Sequence, residues 1–193
     1  MRASPAEYLG LKLRAHELLR GVPLHDVSVV NLPGGGTGRS VADIRALQSA
    51  AAPSRTVDAF FRLRWFLGRV FGWDRVQMRP EDSLLPQLSE RDRRSSEVAP
   101  GTPDGPFRLL YQFPGEALSE IRNATVQGYV CVALAPSAAG YRLYFAVYVL
   151  PVSWFTRPYL IAIEPFRRFI VYPAMLRRIR RAWIARYHSE VFS

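Results

Sequence analysis

The stretch that decides the fold is residues 141–149, which read YRLYFAVYV. Aromatic and β-branched residues dominate it, and these residue types favour strands. Strand side chains alternate between two faces. One face would carry Leu143, Phe145, Val147 and Val149, and the other Arg142, Tyr144, Ala146 and Tyr148. The first, wholly apolar set predicts the side that packs on the core.

Three further strand candidates precede this stretch at short intervals: 107–113, 118–123 and 126–134. Connections this short join antiparallel neighbours, whereas parallel strands need a long crossover. Earlier in the chain, the spacing of apolar residues predicts helices over 6–20, 40–50 and 57–71 and a short strand over 27–32. The polar and then Pro/Gly-rich stretch 77–106 predicts a long exposed loop.

The last predicted element is a helix over 158–187 that Pro165 and Pro173 should kink or split. Beyond Pro173 one arc is apolar and the other is rich in arginine. The sequence therefore predicts an α+β fold, in which an antiparallel sheet packs against a long C-terminal helix and is joined by N-terminal helices. With 193 residues, 49% of them hydrophobic and 22% charged, the chain suits one soluble domain over 1–193.

The number of cysteines and the distribution of charge restrict the classes of protein to which the chain could belong. Cys131 is the only cysteine, so an intrachain disulfide and paired cysteine ligands for a metal are excluded, and no signal-peptide pattern opens the chain. We expect a cytoplasmic protein with no metal. The net charge is +10, and residues 157–193 hold eight arginines against two glutamates. This asymmetry favours an anionic partner.

Two groups of residues are candidates for anion binding. On the C-terminal helix they are Arg177, Arg178, Arg180 and Arg181, which would face a membrane surface or nucleic acid. No recognised nucleic-acid motif accompanies them, so no specific nucleic acid is predicted. The second group lies in the glycine-rich turn and consists of Gly35, Gly36, Arg39 and Ser40. This turn precedes a predicted helix whose first N–H groups attract anions. The alternatives are a solvated basic face and a turn capped by Ser40.

A third candidate set lies on the strands: Glu120, Arg122, Tyr129, Tyr144 and Tyr148. Tyrosine hydroxyls above an apolar floor would suit a small amphipathic ligand, and the alternative is a half-exposed sheet face. His25 and Asp26 are adjacent, but neighbouring strand residues point to opposite faces, which disfavours an acid–base pair. Cys131, between two valines, is predicted to be a buried core residue.

Residues 159–176, YLIAIEPFRRFIVYPAML, together with the preceding strand and residues 116–123, resemble the bacterial domain of unknown function 2867. The resemblance covers about 22–181. It implies an antiparallel sheet holding a long C-terminal helix, of the helix-grip kind that encloses small hydrophobic ligands. Members of that family occur alone or behind short-chain-dehydrogenase-like domains. The family often has histidine where Thr125 and Arg167 stand here, so histidine chemistry at those positions is not expected.

These observations predict a domain that binds a small amphipathic or hydrophobic ligand between the sheet and the C-terminal helix. One alternative is an interaction protein whose arginine face is directed to anions. Another is an enzyme with a tyrosine, glutamate and arginine site in a cavity. No glycine-rich dinucleotide fingerprint is present, so no cofactor is expected. The sequence indicates neither a reaction nor an oligomeric state.

Overall fold

The computed structural model describes residues 4–50, 82–122, 126–151, 164 and 167–187. Its centre is an antiparallel sheet of six strands in the order β1-β6-β5-β4-β3-β2. The strands are β1 Leu24–Pro33, β2 Pro103–Asp104, β3 Phe107–Phe113, β4 Glu116–Arg122, β5 Val126–Ser137 and β6 Gly140–Pro151. β3 to β6 form the predicted meander, and β1 pairs with β6 along the edge of that meander.

The N-terminal helix predicted over 6–20 is instead two short helices, α1 Pro5–Leu9 and α2 Arg14–Leu18. Gly10 ends α1, where its N–H donates to the carbonyl of Ala6. The third helix, α3 Val41–Ala50, agrees with the sequence prediction. The helix predicted over 57–71 lies outside the described residues.

Residues 77–81 of the stretch predicted as an exposed loop over 77–106 lie outside the described residues, and the part from residue 82 has secondary structure. It contains a 3₁₀ turn, Leu85–Gln87, and a short helix, α4 Glu90–Ser95, with Ser89 and Asp92 forming a capping box. Leu84 and Leu88 are buried. Most other side chains of this part are exposed or partly exposed, while these two leucines pack onto the sheet.

The C-terminal helix contains a π-helical turn, Arg167–Val171, and continues as α5 Tyr172–Tyr187. Pro173 is the second residue of α5, so the irregular turn lies next to the position where proline removes an N–H from the helix. The buried side chains of α5 are Tyr172, Leu176, Ile179, Trp183 and Tyr187. The predicted division into an apolar and an arginine-rich arc is thus confirmed for α5. No helix in the described ranges is long and apolar enough to cross a bilayer.

Each face of the sheet carries a packed layer of apolar side chains. The tyrosine face, which carries Tyr129, Tyr144 and Tyr148, packs under α1, α2 and the segment from Leu84 to Leu88. The helix face, which carries Leu143, Phe145 and Val147, packs in one half under α3 and α5. The α+β class with a C-terminal helix on an antiparallel sheet is confirmed, and the core forms two layers, one on each side of the sheet.

Candidate functional site

The five side chains predicted to line a ligand pocket do not lie between the sheet and α5. The strand register places Glu120, Tyr129 and Tyr148 on the tyrosine face, whereas α5 packs on the helix face. Tyr144 shares the tyrosine face, and Glu120 and all three tyrosines are at most 3% exposed. The alternative of a half-exposed face is therefore wrong as well, because α1, α2 and the segment from Leu84 to Leu88 cover these residues.

Glu120 holds the segment that crosses the tyrosine face after residue 82. Its carboxylate accepts hydrogen bonds from the Ser83 hydroxyl at 2.5 Å and from the Leu84 N–H at 3.0 Å. Nearby, Arg122 forms an ion pair with Asp82. The amide of Gln127 donates to the Tyr129 hydroxyl at 2.7 Å. The polar groups of this cluster thus attach the crossing segment to β4 and β5.

Tyr144 and Tyr148 hold the N-terminal helices in the same way. The Tyr144 hydroxyl donates to Glu7, and the Tyr148 hydroxyl lies 3.3 Å from the hydroxyl of Tyr8 and 3.4 Å from His16 Nδ1. Burial raises the pKa of both tyrosines to about 12. They therefore stay neutral at physiological pH and serve as hydrogen-bonding anchors.

Cys131 lies in the middle of the same layer and is fully buried. Burial raises the pKa of its thiol to about 12, so the nucleophilic thiolate is scarce near neutral pH. The location agrees with the prediction of a core residue. Among the described residues, no group of three His, Cys, Asp or Glu side chains is arranged to hold a metal ion.

Glu120 gives a testable pH dependence. Burial raises the pKa of its carboxyl above the ordinary value of 4.5, and the bonds from Ser83 and Leu84 only partly offset this. The folded chain then binds the proton more tightly than the unfolded chain. Protonation of the Glu120 carboxyl therefore stabilises the folded chain. This stabilisation is fully present below pH 4.5 and is lost as the pH rises through the pKa that the carboxyl has in the folded chain. We expect the free energy of unfolding to fall less steeply from pH 4.5 to neutral in Glu120→Gln than in the wild type.

Urea denaturation at a series of pH values measures this slope. Glu90→Gln is the matched control, because the Glu90 side chain is 77% exposed. Its profile should follow that of the wild type. Parallel profiles for Glu120→Gln and the wild type would contradict the assignment.

The glycine-rich turn predicted to bind anions packs against α5. The Tyr141 hydroxyl donates to the carbonyl of Gly36 at 3.0 Å, and Arg39 Nε donates to the carbonyl of Gly35 at 2.7 Å. The Arg39 guanidinium also stacks over the ring of Tyr187, 4.0 Å from its centroid. These contacts use Gly35, Gly36 and Arg39 to attach the turn to β6 and α5.

The first turn of α3, which follows, is also engaged. The Ser40 N–H donates to Asp43 Oδ2 at 2.9 Å, and the Val41 N–H donates to the carbonyl of Pro114 at 2.8 Å. A carboxylate of the chain therefore already occupies the position where an anion would bind. The role of Gly35, Gly36, Arg39 and Ser40 in anion binding stays a prediction that these contacts do not favour.

A different part of the sheet has the properties expected of a binding surface. On the helix face, Val130, Val132 and Phe145 are only partly buried by the chain. Val132 and Phe145 adjoin the apolar cluster under α3 and α5, and Val130 and Phe145 adjoin a second cluster that includes Val147 and Val149. Within the described chain, Val171 and Tyr172 pack beside this strip, with the Tyr172 ring 5.3 Å from that of Phe145. This area, here called the open strip, lies between the sheet and the start of the C-terminal helix.

Ionisable side chains stand at one end of the open strip. His25 lies where the pairing of β1 with β6 is irregular, and its Nε2 is 3.9 Å from Glu164 Oε2. The other oxygen of Glu164 is 3.9 Å from Arg168 Nη1. Adjacent Asp26 pairs with Val147 in the register, so it is at the same end of the sheet. A partly accessible histidine next to a carboxylate and a guanidinium can hold a polar group or exchange a proton with it.

The sequence singled out His25, weighed Asp26 as its partner and disfavoured that pair, and it missed Glu164 and Phe145. Glu164 lies far along the chain from His25, so no local spacing indicates their contact. Phe145 was assigned to the core because it alternates with the tyrosines. Its partial exposure depends on how the C-terminal helix lies over the sheet, which is a tertiary property.

The fold and this arrangement define a class of protein, an α+β domain whose antiparallel sheet carries a C-terminal helix beside a partly open apolar strip. The family described as "Protein of unknown function (DUF2867)" matches the chain over residues 18–174. The chain therefore belongs to that family. The comparison with curated proteins found no match, and neither did the comparison with solved structures.

Proposed function

We propose that this domain binds a small amphipathic ligand on the open strip, between the sheet and the start of its C-terminal helix. The observation that carries the proposal is the partial exposure of Val130, Val132 and Phe145 in a sheet whose other face is closed. Small-molecule sites combine an apolar lining with a few polar groups that orient the ligand.

The chemistry of the rim describes the ligand. His25, Glu164 and Arg168 form a linked set of ionisable groups at one end, while the floor is hydrocarbon and one aromatic ring. A ligand with an apolar body and one polar or ionisable end would match both parts. Its apolar body would gain about 25 cal/mol per Å² removed from water.

Native mass spectrometry of protein purified from its own organism tests the proposal. We expect a mass above that of the chain in native spectra that disappears under denaturing conditions. A Val130→Trp variant should lose this extra mass because the indole fills the strip. Ala99→Trp, at an exposed position beside β3, should keep it.

Two results would count against ligand binding. One is an identical mass in native and denaturing spectra across repeated preparations. The other is equal retention of a bound compound by Val130→Trp and Ala99→Trp, with both variants melting as the wild type does. Identical masses would show that no ligand is bound. Equal retention by the two variants would show that the ligand does not occupy the open strip.

A further inference from the structure

The outer side of the C-terminal helix combines two features that are seldom found together on a solvated surface. Phe169 is 69% exposed and Ile170 is 38% exposed. They follow each other in the π-helical turn, and Arg177, Arg180 and Arg181 are exposed further along the same helix. Single exposed apolar residues are ordinary, but two adjacent large ones beside a cationic row indicate an interaction surface.

Helical geometry places these five residues on one side. At about 100° per residue, Arg177, Arg180 and Arg181 lie within one arc of about 100°, beside the buried arc of Leu176, Ile179 and Trp183. Phe169 and Ile170 precede them in the π-helical turn, and their exposure puts them on the solvent side of the same helix. The row runs from residue 169 to residue 181, roughly 18 Å at 1.5 Å per residue. We call it the outer arc.

The arginines of the outer arc differ from most others in the described chain. Arg14, Arg45, Arg122 and Arg142 form ion pairs with Asp92, Asp104, Asp82 and Glu7. Arg178, on the flank of α5, donates to the carbonyl of Gln48. Within the described ranges, Arg177, Arg180 and Arg181 have no carboxylate within 4.0 Å. Their charge is thus available to a partner.

We propose that the outer arc docks the domain on an anionic lipid surface, with Phe169 and Ile170 entering the boundary between headgroups and acyl chains and the three arginines contacting the headgroups. The exposed apolar pair, Phe169 and Ile170, favours a lipid surface over nucleic acid as the anionic partner. A phosphate backbone would satisfy the arginines but would leave Phe169 and Ile170 in water, whereas a bilayer interface accepts both. The helix keeps its buried arc on the sheet and lies flat on the membrane.

Co-sedimentation of the full chain with vesicles tests the docking. We expect binding to phosphatidylcholine–phosphatidylserine vesicles and none to pure phosphatidylcholine. About 1 M salt should abolish binding, because the Debye length then falls to about 3 Å. Replacing Arg177, Arg180 and Arg181 by glutamine should weaken the affinity about a hundredfold, as each basic residue near such a surface contributes about one factor of five.

A matched triple variant controls for net charge. Arg20→Gln, Arg91→Gln and Arg94→Gln remove the same charge at exposed positions away from α5 and should keep most of the binding. Phe169→Ser should weaken binding at constant charge, and its melting temperature should equal that of the wild type because the side chain is exposed. Equal losses in the two triple variants would overturn the proposal, as would full binding by Phe169→Ser. Tighter binding to double-stranded DNA than to the mixed vesicles would overturn it too.

Discussion

Glu116→Ala should lower the free energy of unfolding by about 3–5 kcal/mol, since it leaves several buried donors without an acceptor. The Glu116 carboxylate accepts the Arg14 N–H at 2.6 Å, the Ala15 N–H at 3.3 Å and the Tyr111 hydroxyl at 3.1 Å. Arg14 and Ala15 are the first two residues of α2. Glu116 therefore caps a helix from a strand that lies far away in the sequence.

Urea denaturation gives the magnitude, and hydrogen exchange of the α2 amides shows whether the helix detaches. Glu116→Gln retains one acceptor oxygen and should lose less than the alanine variant. Glu90→Ala changes an exposed glutamate and should cost under about 0.5 kcal/mol. If Glu116→Ala were as mild as Glu90→Ala, the capping role would be excluded.

Trp183→Ala should cost about 3–5 kcal/mol, the range for removing a fully buried aromatic side chain. Trp183 has no exposed surface, and its ring meets those of Tyr141 and Tyr187 edge to face at centroid distances of 5.6 and 4.8 Å. Its indole N–H donates to the carbonyl of Pro33 at 3.0 Å. The residue thus joins α5 to both β6 and the end of β1.

A double-mutant cycle of Gly35 and Trp183 tests the contact between the glycine-rich turn and α5. A Cβ on Gly35 would lie 2.5 Å from Trp183 Cζ2, and Gly35 also has a positive φ of 98°. Gly35→Ala should therefore be strongly destabilising. A Trp183→Phe background lacks that ring atom. In this background the loss of unfolding free energy caused by Gly35→Ala should be smaller by about 1–3 kcal/mol, because only the backbone strain remains. Additive costs in the cycle would show that the turn and the tryptophan are not in contact.

Local pattern was enough to predict the sheet and the C-terminal helix. Residues 107–113 and 141–149 are rich in aromatic and aliphatic residues and end at Pro, Gly or both, so strand propensity and turn residues agree there. The arcs of α5 follow from its 3.6-residue period. The break between α1 and α2 was missed because the hydrophobic spacing continues through Gly10, while Glu116 supplies the cap that begins the second helix.

The candidate site was predicted less well, because its parts meet only in three dimensions. Tyr144 and Tyr148 resembled pocket residues, since a strand face with hydroxyls has the composition of a ligand site. Nothing in their spacing shows that Glu7 and Tyr8 arrive from the N-terminus to occupy those hydroxyls. The contact of His25 with Glu164 depends in the same way on where the chain returns after β6.

The two buried glutamates of β4 have a consequence for how the domain opens. Glu116 and Glu120 lie four residues apart on the same face of β4, and each holds a different covering segment: Glu116 holds α2, and Glu120 holds the stretch that begins at Ser83. Separation of this single central strand from its neighbours would release both segments at once. The layer over the tyrosine face should therefore behave as one cooperative unfolding unit, even though its pieces come from opposite ends of the first half of the chain.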